Sequence, residues 1–481
     1  MPLTPDEARA LVADQLMPAL RSEQPRLDRI DRWWRWQHDK PHAPRQATAE
    51  YNELIDRSYT PWLGLVVTAV AQALYVDGYR RADTTENAAP WRIWQANRMD
   101  GRQMAVHRAA LAYGYAFVTV LPGVNADGEP MPTIRGYSPR RMVAFYEDAV
   151  ADEWPVYALA AEPTKIDGAD AWKIRLFDDT NVYHLVAIGG GGIGKPSLTN
   201  IEYVDESNHG VGLCPVVRFA DSLDLEGRMP GEVEPYIPVA ARIDQTTFDR
   251  LVVQRFASWI VRTIAGMVEP GDDEAIAKKK LELKVDDILI AEDPDTKFGY
   301  LPATPLDPFI AARDADIRDL AAVSQTPPHH LLGQMANLSA EALAAAESSY
   351  MRKVEERQHA FGESWEQMLR LGARIIGDMD SWRDVEAQVQ WRDVSARSLQ
   401  QAADALGKLA QMLNVPVEIL WEKIPGWTQQ DVERAKALAA ESDGIRRLAE
   451  QLMASVAEDQ AAQGQPAQPE LEPVVAGGVQ S

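Results

Sequence analysis

The chain has 481 residues, enough for two or three domains and a substantial buried core. Hydrophobic residues make up 46% and charged residues 25%, an ordinary globular balance that excludes wholesale disorder. A formal net charge of -23 excludes a surface that wraps DNA throughout, because phosphate binding needs Lys and Arg; the single cysteine, Cys214, excludes an intrachain disulfide scaffold and fits a reducing, cytoplasmic origin.

The opening MPLTPDEARALV has neither the basic nor the long apolar stretch of a signal peptide and reads as helix. Thr4 suits the N-cap, Pro5 the first helical position and Glu7 the far side of a capping box. Leu11, Val12, Leu16 and Leu20 then follow one face. A second stretch ends in WWRWQHDKP, where Trp33, Trp34 and Trp36 stand beside Arg32 and Arg35. Such aromatics stack bases in some proteins, but packing against neighbouring helices or a partner is the default. A third helix starts at Thr60 and Pro61, with Leu63, Val66, Val67, Val70 and Leu74 at helical spacing. The apolar run from Trp62 to Val76 is broken by Thr68 and Gln72 and is too short to span a bilayer, so no membrane contact is expected. A pair of helices is predicted over 89–97 and 100–113.

The pattern changes at Tyr115. YAFVTVLPG, the AWKIRLF and VYHLVAI pair around Asp178 and GLCPVVRF read as strands, so 114–220 is predicted to be β-rich within a predominantly helical, mixed α+β chain. Helix returns near Pro238, with an apolar stripe of Phe248, Leu251, Val252, Phe256, Trp259, Ile260 and Ile264. A charge-rich segment, 266–306, includes the strand-like DDILIAED, and 307–325 reads as helix again. After the polar break TPPHHLLGQMAN comes the strongest helix, from Ser339 to about Ile376, with Leu338 and Leu343 placed as a hydrophobic staple. At 1.5 Å per residue it would be roughly 55 Å long, suited to an elongated subunit. One strand is predicted in 384–394, helices in 395–455, and a disordered Gln/Ala/Pro/Gly-rich tail in 456–481.

The chemical motifs are weak. Gly189, Gly191 and Gly194 satisfy G-x-G-x-x-G, and with Lys195 they approach a P-loop. Pro196 stands where Ser or Thr would hold magnesium, and the strand-like IEYVDE follows where a helix is required, so a hairpin loop is the better reading. His329 and His330 form the only histidine cluster, and no carboxylate or cysteine lies at ligand spacing in the sequence, so no metal is assigned. Asp286, Asp287, Glu292, Asp293 and Asp295 read as a solvated face rather than a two-metal site. Lys278, Lys279 and Lys280, set among acidic residues, read as an exposed helix surface. Cys214, before Pro215 in an apolar strand, reads as core. Neither a catalytic triad nor paired catalytic carboxylates stand out, and no cofactor is expected.

Four stretches in order carry a resemblance: WQANRMDGRQMAVHRAALAYGYAFVTV (94–120), YSPRRMVAFYED (137–148), GLCPVVRFAD (212–221) and SQTPPHHLLGQMANLSAEALAAAESSYMRKVEERQHAFGESWEQML (324–369). Together they resemble the portal proteins of tailed bacteriophages of the siphophage type, over about residues 5 to 440. The resemblance implies a structural protein, not an enzyme: a homo-oligomeric ring, usually a 12-mer, at one capsid vertex of the virion, assembled in the host cytoplasm. Double-stranded DNA would pass through its channel, and its partners would be the terminase packaging motor, a head–tail adaptor, and the major capsid and scaffolding proteins. It implies a wing at 1–234, a stem helix at 235–265, a clip at 266–306, a second stem helix at 307–325, a tunnel loop at 326–338, a long wing helix and strand at 339–394, and a helical crown at 395–455. His329, His330, Gln334 and Asn337 of the tunnel loop would face the DNA. The alternatives are another capsid or head–tail component, usually shorter, or a packaging enzyme, which would need a working P-loop or carboxylate cluster.

Overall fold

The structure, a computed structural model, describes residues 2–38, 49–81, 87–166, 168–188, 200–257, 262–265, 297–300, 304–333, 340–392, 399–421, 423, 424, 426, 427 and 431–441. It is mixed α+β and predominantly helical. Two compact units divide the chain, Met1–Trp391 and Arg392–Ser481.

The first unit opens on α1 (Pro5–Leu11), which Thr4 and Glu7 cap reciprocally: Thr4 Oγ1 accepts from the Glu7 amide, and Glu7 Oε2 accepts from the Thr4 amide at 2.8 Å. The helix continues through a π-turn (Val12–Leu16) into α2 (Met17–Trp34). Ala8, Val12, Leu16 and Leu20 recur every four residues, slightly more than one α-turn, and the wider i→i+5 turn absorbs the excess so that all four meet the same surface. Then come α3 (Ala49–Ser58), α4 (Trp62–Ala73), β1 (Val76–Arg80), α5 (Trp91–Ala96) and α6 (Met99–Tyr113).

Eight strands follow between 115 and 220: β2 (Tyr115–Leu121), β3 (Thr133–Tyr137), β4 (Met142–Phe145), β5 (Tyr157–Ile166), β6 (Ala169–Phe177), β7 (Asn181–Ile188), β8 (Ile201–Asn208) and β9 (Val216–Ala220). They form an antiparallel three-stranded sheet, β3-β2-β9, and an antiparallel five-stranded meander, β4-β5-β6-β7-β8. Where the meander is covered, alternate residues serve its two faces. Leu159, Ala161, Ile174, Leu176, Tyr183 and Leu185 pack under α1 and the start of α2, while Ala158, Ala160, Phe177 and Val182 pack against Phe117 and Val216 of the smaller sheet. Cys214 lies buried in that second layer, where desolvation raises its thiol well above the usual range. The glycine motif at 189–197 lies outside the described residues, but the strands that flank it, β7 and β8, pair with each other, so a strand follows the motif where a phosphate-binding loop needs a helix.

The chain then runs through α7 (Ile237–Ala257), β10 (Arg262–Ala265), β11 (Lys297–Tyr300), α8 (Asp307–Val323), α9 (Pro328–Leu332), the 37-residue α10 (Ala340–Ile376), α11 (Met379–Arg383) and β12 (Gln388–Trp391). The helix expected over 235–265 stops at Ala257; Arg262–Ala265 is instead a strand, paired antiparallel with Lys297–Tyr300 inside the segment read as a clip. Thr263 and Ile264 are β-branched, and a partner strand outweighs the helical stripe that had included Ile264. Lys278–Lys280 and the acidic set at 286–295 lie outside the described residues. α7 and α8 run antiparallel, linked by Arg242 to Asp316 at 2.6 Å and to Asp319 at 2.7 Å. No helix among the described residues is long and apolar enough to cross a membrane.

The main core gathers α2, α4, α5, α6, β2, β9, α8 and α10 around Trp94 and Trp365. Their rings meet edge to face at 4.9 Å, and Phe219 meets Trp365 at 4.4 Å. Of the tryptophans singled out above, Trp33 stacks on His38 at 3.7 Å, Trp34 meets Tyr113 edge-on, and Trp36 is exposed. The second unit contains α12 (Leu399–Leu413), α13 (Val417–Trp421) and a helix over 431–441, with α12 and α13 meeting around Leu406, Ala410, Leu420 and Trp421. The predicted tail, 456–481, lies outside the described residues.

His107, fully buried in the main core, is held as a neutral imidazole. Its Nε2 accepts from Trp365 Nε1 at 2.9 Å, so Nδ1 carries the proton and donates to the Leu74 carbonyl at 3.1 Å. A second proton would set two donors against each other. Burial pushes the group down to about 3, against the pull of the Leu74 carbonyl. The unfolded chain takes up a proton below about 6.5 that the folded chain refuses, so this contribution is complete above 6.5 and lost as pH falls toward 3. We predict that the stability advantage of the wild type over His107→Gln shrinks between pH 6.5 and 4, by up to about 1.4 kcal/mol per pH unit, as read from urea melts at each pH.

Candidate functional site

The segment that the resemblance places in the DNA channel begins where α8 ends. Ser324 caps α8, and the chain reverses through Gln325, which takes a positive φ of 51°. The Thr326 amide donates to Ala321 O at 3.0 Å. Pro327 is extended, as a residue before proline should be, and Pro328 starts α9 at the position where a missing N–H costs nothing. Gly333 closes α9 at φ 64°, its amide donating to His329 O at 3.1 Å. The expected loop at 326–338 is therefore corrected in its first half: two prolines that end one helix also start another. Gln334 and Asn337 lie outside the described residues.

His329 is half-buried and faces α10, and His330 beside it is exposed. Their rings meet edge to face at 4.5 Å, and the His330 ring meets Tyr350 at 5.7 Å. His329 Nε2 lies 3.4 Å from Glu347 Oε1. No carboxylate lies at ligand spacing from these histidines in the sequence; Glu347, eighteen residues after His329 on α10, reaches it only in the fold. Burial, then the neighbouring His329, lower the pKa of His330. Tyr350 itself is anchored by its hydroxyl, which donates to Ala69 O at 2.7 Å.

One turn further along α10 lies a group of four buried charges. Lys353 Nζ contacts Glu232 Oε2 at 2.5 Å and donates to Ser324 O at 2.8 Å. Arg357 Nε pairs with Asp221 Oδ1 at 2.6 Å, and its Nη2 reaches Glu232 Oε1 at 3.4 Å. Two cations and two carboxylates cancel, as burial demands. Burial and then the Glu232 carboxylate push Asp221 upward, against Arg357 and Lys353. Burial alone would lower Arg357, but Asp221 and Glu232 hold it above its ordinary value.

Backbone geometry delivers both carboxylates. The Asp221 amide donates to Gly114 O at 2.9 Å and the Glu232 amide to Leu111 O at 2.6 Å. Gly114 ends α6 at φ 96°, and a Cβ there would lie 1.9 Å from Met229 O; one on Gly231 would lie 2.5 Å from the Gly114 amide nitrogen. Only glycine permits that approach. Reading motifs from the sequence missed this cluster. The available signal was the position of Lys353 and Arg357 on the same helical face as Tyr350, Val354 and Phe361, an apolar stripe that normally excludes charge.

The arrangement holds groups in place; among the described residues it does not set a nucleophile beside a base. A family model described as phage portal protein, SPP1 Gp6-like, matches residues 17–445. The portal protein of Mycobacterium phage D29 is 28% identical over 364 residues, which cover 72% of this chain and 71% of that one, and the portal protein of Mycobacterium phage L5 matches to the same extent. Among solved structures, a chain from the neck of an empty GTA particle, treated with C6 symmetry, aligns at 14% identity and TM-score 0.40, covering 79% of this chain and 96% of that one. A chain from the neck of a native GTA particle, treated with C12 symmetry, aligns at 12% identity and TM-score 0.41, covering 78% and 91%. The chain belongs to the phage portal protein family, SPP1 Gp6-like. Its role is that of a structural portal protein of a phage capsid.

Removing one member of the buried group leaves the others uncompensated. We predict that Lys353→Met lowers stability by about 3–5 kcal/mol in denaturant melts. Glu356→Gln, whose carboxylate is exposed, should change it by less than about 0.5 kcal/mol.

Proposed function

We propose that the chain closes into a ring of about twelve subunits at one capsid vertex, through which double-stranded DNA passes in packaging and ejection. The terminase motor and a head–tail adaptor would dock on this ring, and the major capsid and scaffolding proteins would surround it. In this reading 1–234 and 339–394 form the wing, 235–265 and 307–325 the stem, 266–306 the clip, and 395–455 the crown. Residues 326–338 line the narrowest part of the channel. The assignment does not require catalysis by this chain.

The observation that carries this reading is the antiparallel pairing of α7 with α8, continued by the β10–β11 pair on one side and by the turn at Ser324 on the other. A helical hairpin tipped by a small β element, whose other end returns directly into 326–338, suits a stem with a clip at its tip and a channel loop at its base. Charge supports it as well. With a net charge of -23, the chain offers few strong phosphate contacts that would brake sliding DNA.

Purified protein should appear in negative stain as rings with a central hole, and light scattering should give a mass many times the 53.4 kDa of one chain. A monomer by both measurements, checked after cross-linking, would overturn the ring. Gln334→Trp combined with Asn337→Trp should leave ring formation unchanged while DNA packaging or retention fails. Normal packaging by such rings would place the loop away from the channel.

A further inference from the structure

We propose that His329, His330 and Glu347 form a binding site for a divalent transition-metal ion of the zinc class, clamping α9 to α10. One ligand atom from each of the three residues lies within 4.8 Å of the others. Two donors each about 2.1 Å from a tetrahedral ion stand about 3.4 Å apart, and that is the separation of His329 Nε2 and Glu347 Oε1. The His330 ring lies beside them, so a modest rotation would complete a three-ligand face and leave a fourth position for water. Two imidazoles and one carboxylate suit zinc, cobalt or nickel, whereas magnesium and calcium prefer all-oxygen shells.

His329 and Glu347 are half-buried, and His330 is exposed beside them. The ligands also sit on supported elements: Tyr350, three residues after Glu347, is fastened to Ala69, and Lys353 is fastened to Ser324 at the entry to α9. A divalent ion would use both rings and the carboxylate together. Bound there, it would fix the two ends of the 334–339 connection at once, because His329 and His330 precede that connection and Glu347 follows it. The site's existence does not depend on the ring; its consequence for the channel does.

The test uses the full chain with Co2+ as the spectroscopic probe, and metal is counted per chain whatever the assembly state. The wild type should bind one Co2+ with the intense visible absorption of a low-coordinate site, displaced by Zn2+ but not by Mg2+. His330→Ala and Glu347→Gln should each weaken binding by at least the roughly 10–100-fold that loss of even a supporting partner costs. His359→Ala, at an exposed histidine elsewhere on α10, should leave the titration unchanged. Zn2+ should also slow proteolysis between Gly333 and Ala340 in the wild type and not in Glu347→Gln. If either variant misfolds by circular dichroism, His329→Gln carries the same comparison. No Co2+ binding by the wild type, or equal affinity in the folded variants, would overturn the proposal and leave His329–Glu347 as an ordinary ion pair. Electron micrographs of the same samples report ring formation separately, so loss of the metal site and loss of the ring are distinguishable.

Discussion

Four charges that cannot reach water organise the first unit. Asp221 closes strand β9, Glu232 lies on the connection to α7, and Lys353 and Arg357 project from the long helix. None is affordable alone in a medium of low dielectric, so each holds only while the other three are in place. That mutual dependence fixes the β-sheet layer, the turn after α6, the end of α8 and the middle of α10 relative to one another. Apolar packing around Trp94 and Trp365 supplies bulk attraction, but it tolerates sliding; a neutral cluster of directional contacts does not. The contact from Lys353 to Ser324 O carries this constraint to the turn between α8 and α9.

The glycine pair deepens the point. Gly114 and Gly231 let two stretches of backbone approach more closely than any side chain would allow. The approach delivers the Asp221 and Glu232 amides to carbonyls at the end of α6 and thereby aims both carboxylates inward. Sequence-local features, a positive φ and a missing Cβ, thus set up a long-range electrostatic arrangement.

Much of this architecture was legible in the sequence because its signals are local. The capping box at Thr4 and Glu7, the helix ending at Gly114, the β-hairpin around Asp178 and the long helix to Ile376 all follow from caps, turn residues and periodicity. Errors arose where a tertiary partner decided the outcome. Arg262–Ala265 joins a strand because Lys297–Tyr300 lies opposite, and no window on the helical stripe contains that partner. The proximity of Glu347 to His329 spans a chain reversal, so ligand spacing along the sequence could not reveal it. The buried charges are separated by more than a hundred positions, from Glu232 to Lys353, and adjacency in space leaves no trace in spacing. The family resemblance was readable from ordered stretches, while the roles of Gln334 and Asn337 rest on that resemblance alone.

The unbroken helix from Pro5 to Trp34 has a consequence for how the first unit comes apart. Its first half belongs to the layer over the five-stranded meander, through Ala8, Val12, Leu16 and Leu20, and its second half to the main core, through Leu27 and Ile30. Two hydrophobic clusters share one rod and so cannot open independently. Exposing either requires that rod to fray or detach, which weakens the other. In native-state hydrogen exchange the meander amides and the α4–α6 amides should therefore report a common opening free energy, a single foldon where the two clusters alone would suggest two. The π-turn makes this coupling possible, since without its wider turn the helix would rotate its apolar face off the sheet before reaching the second core.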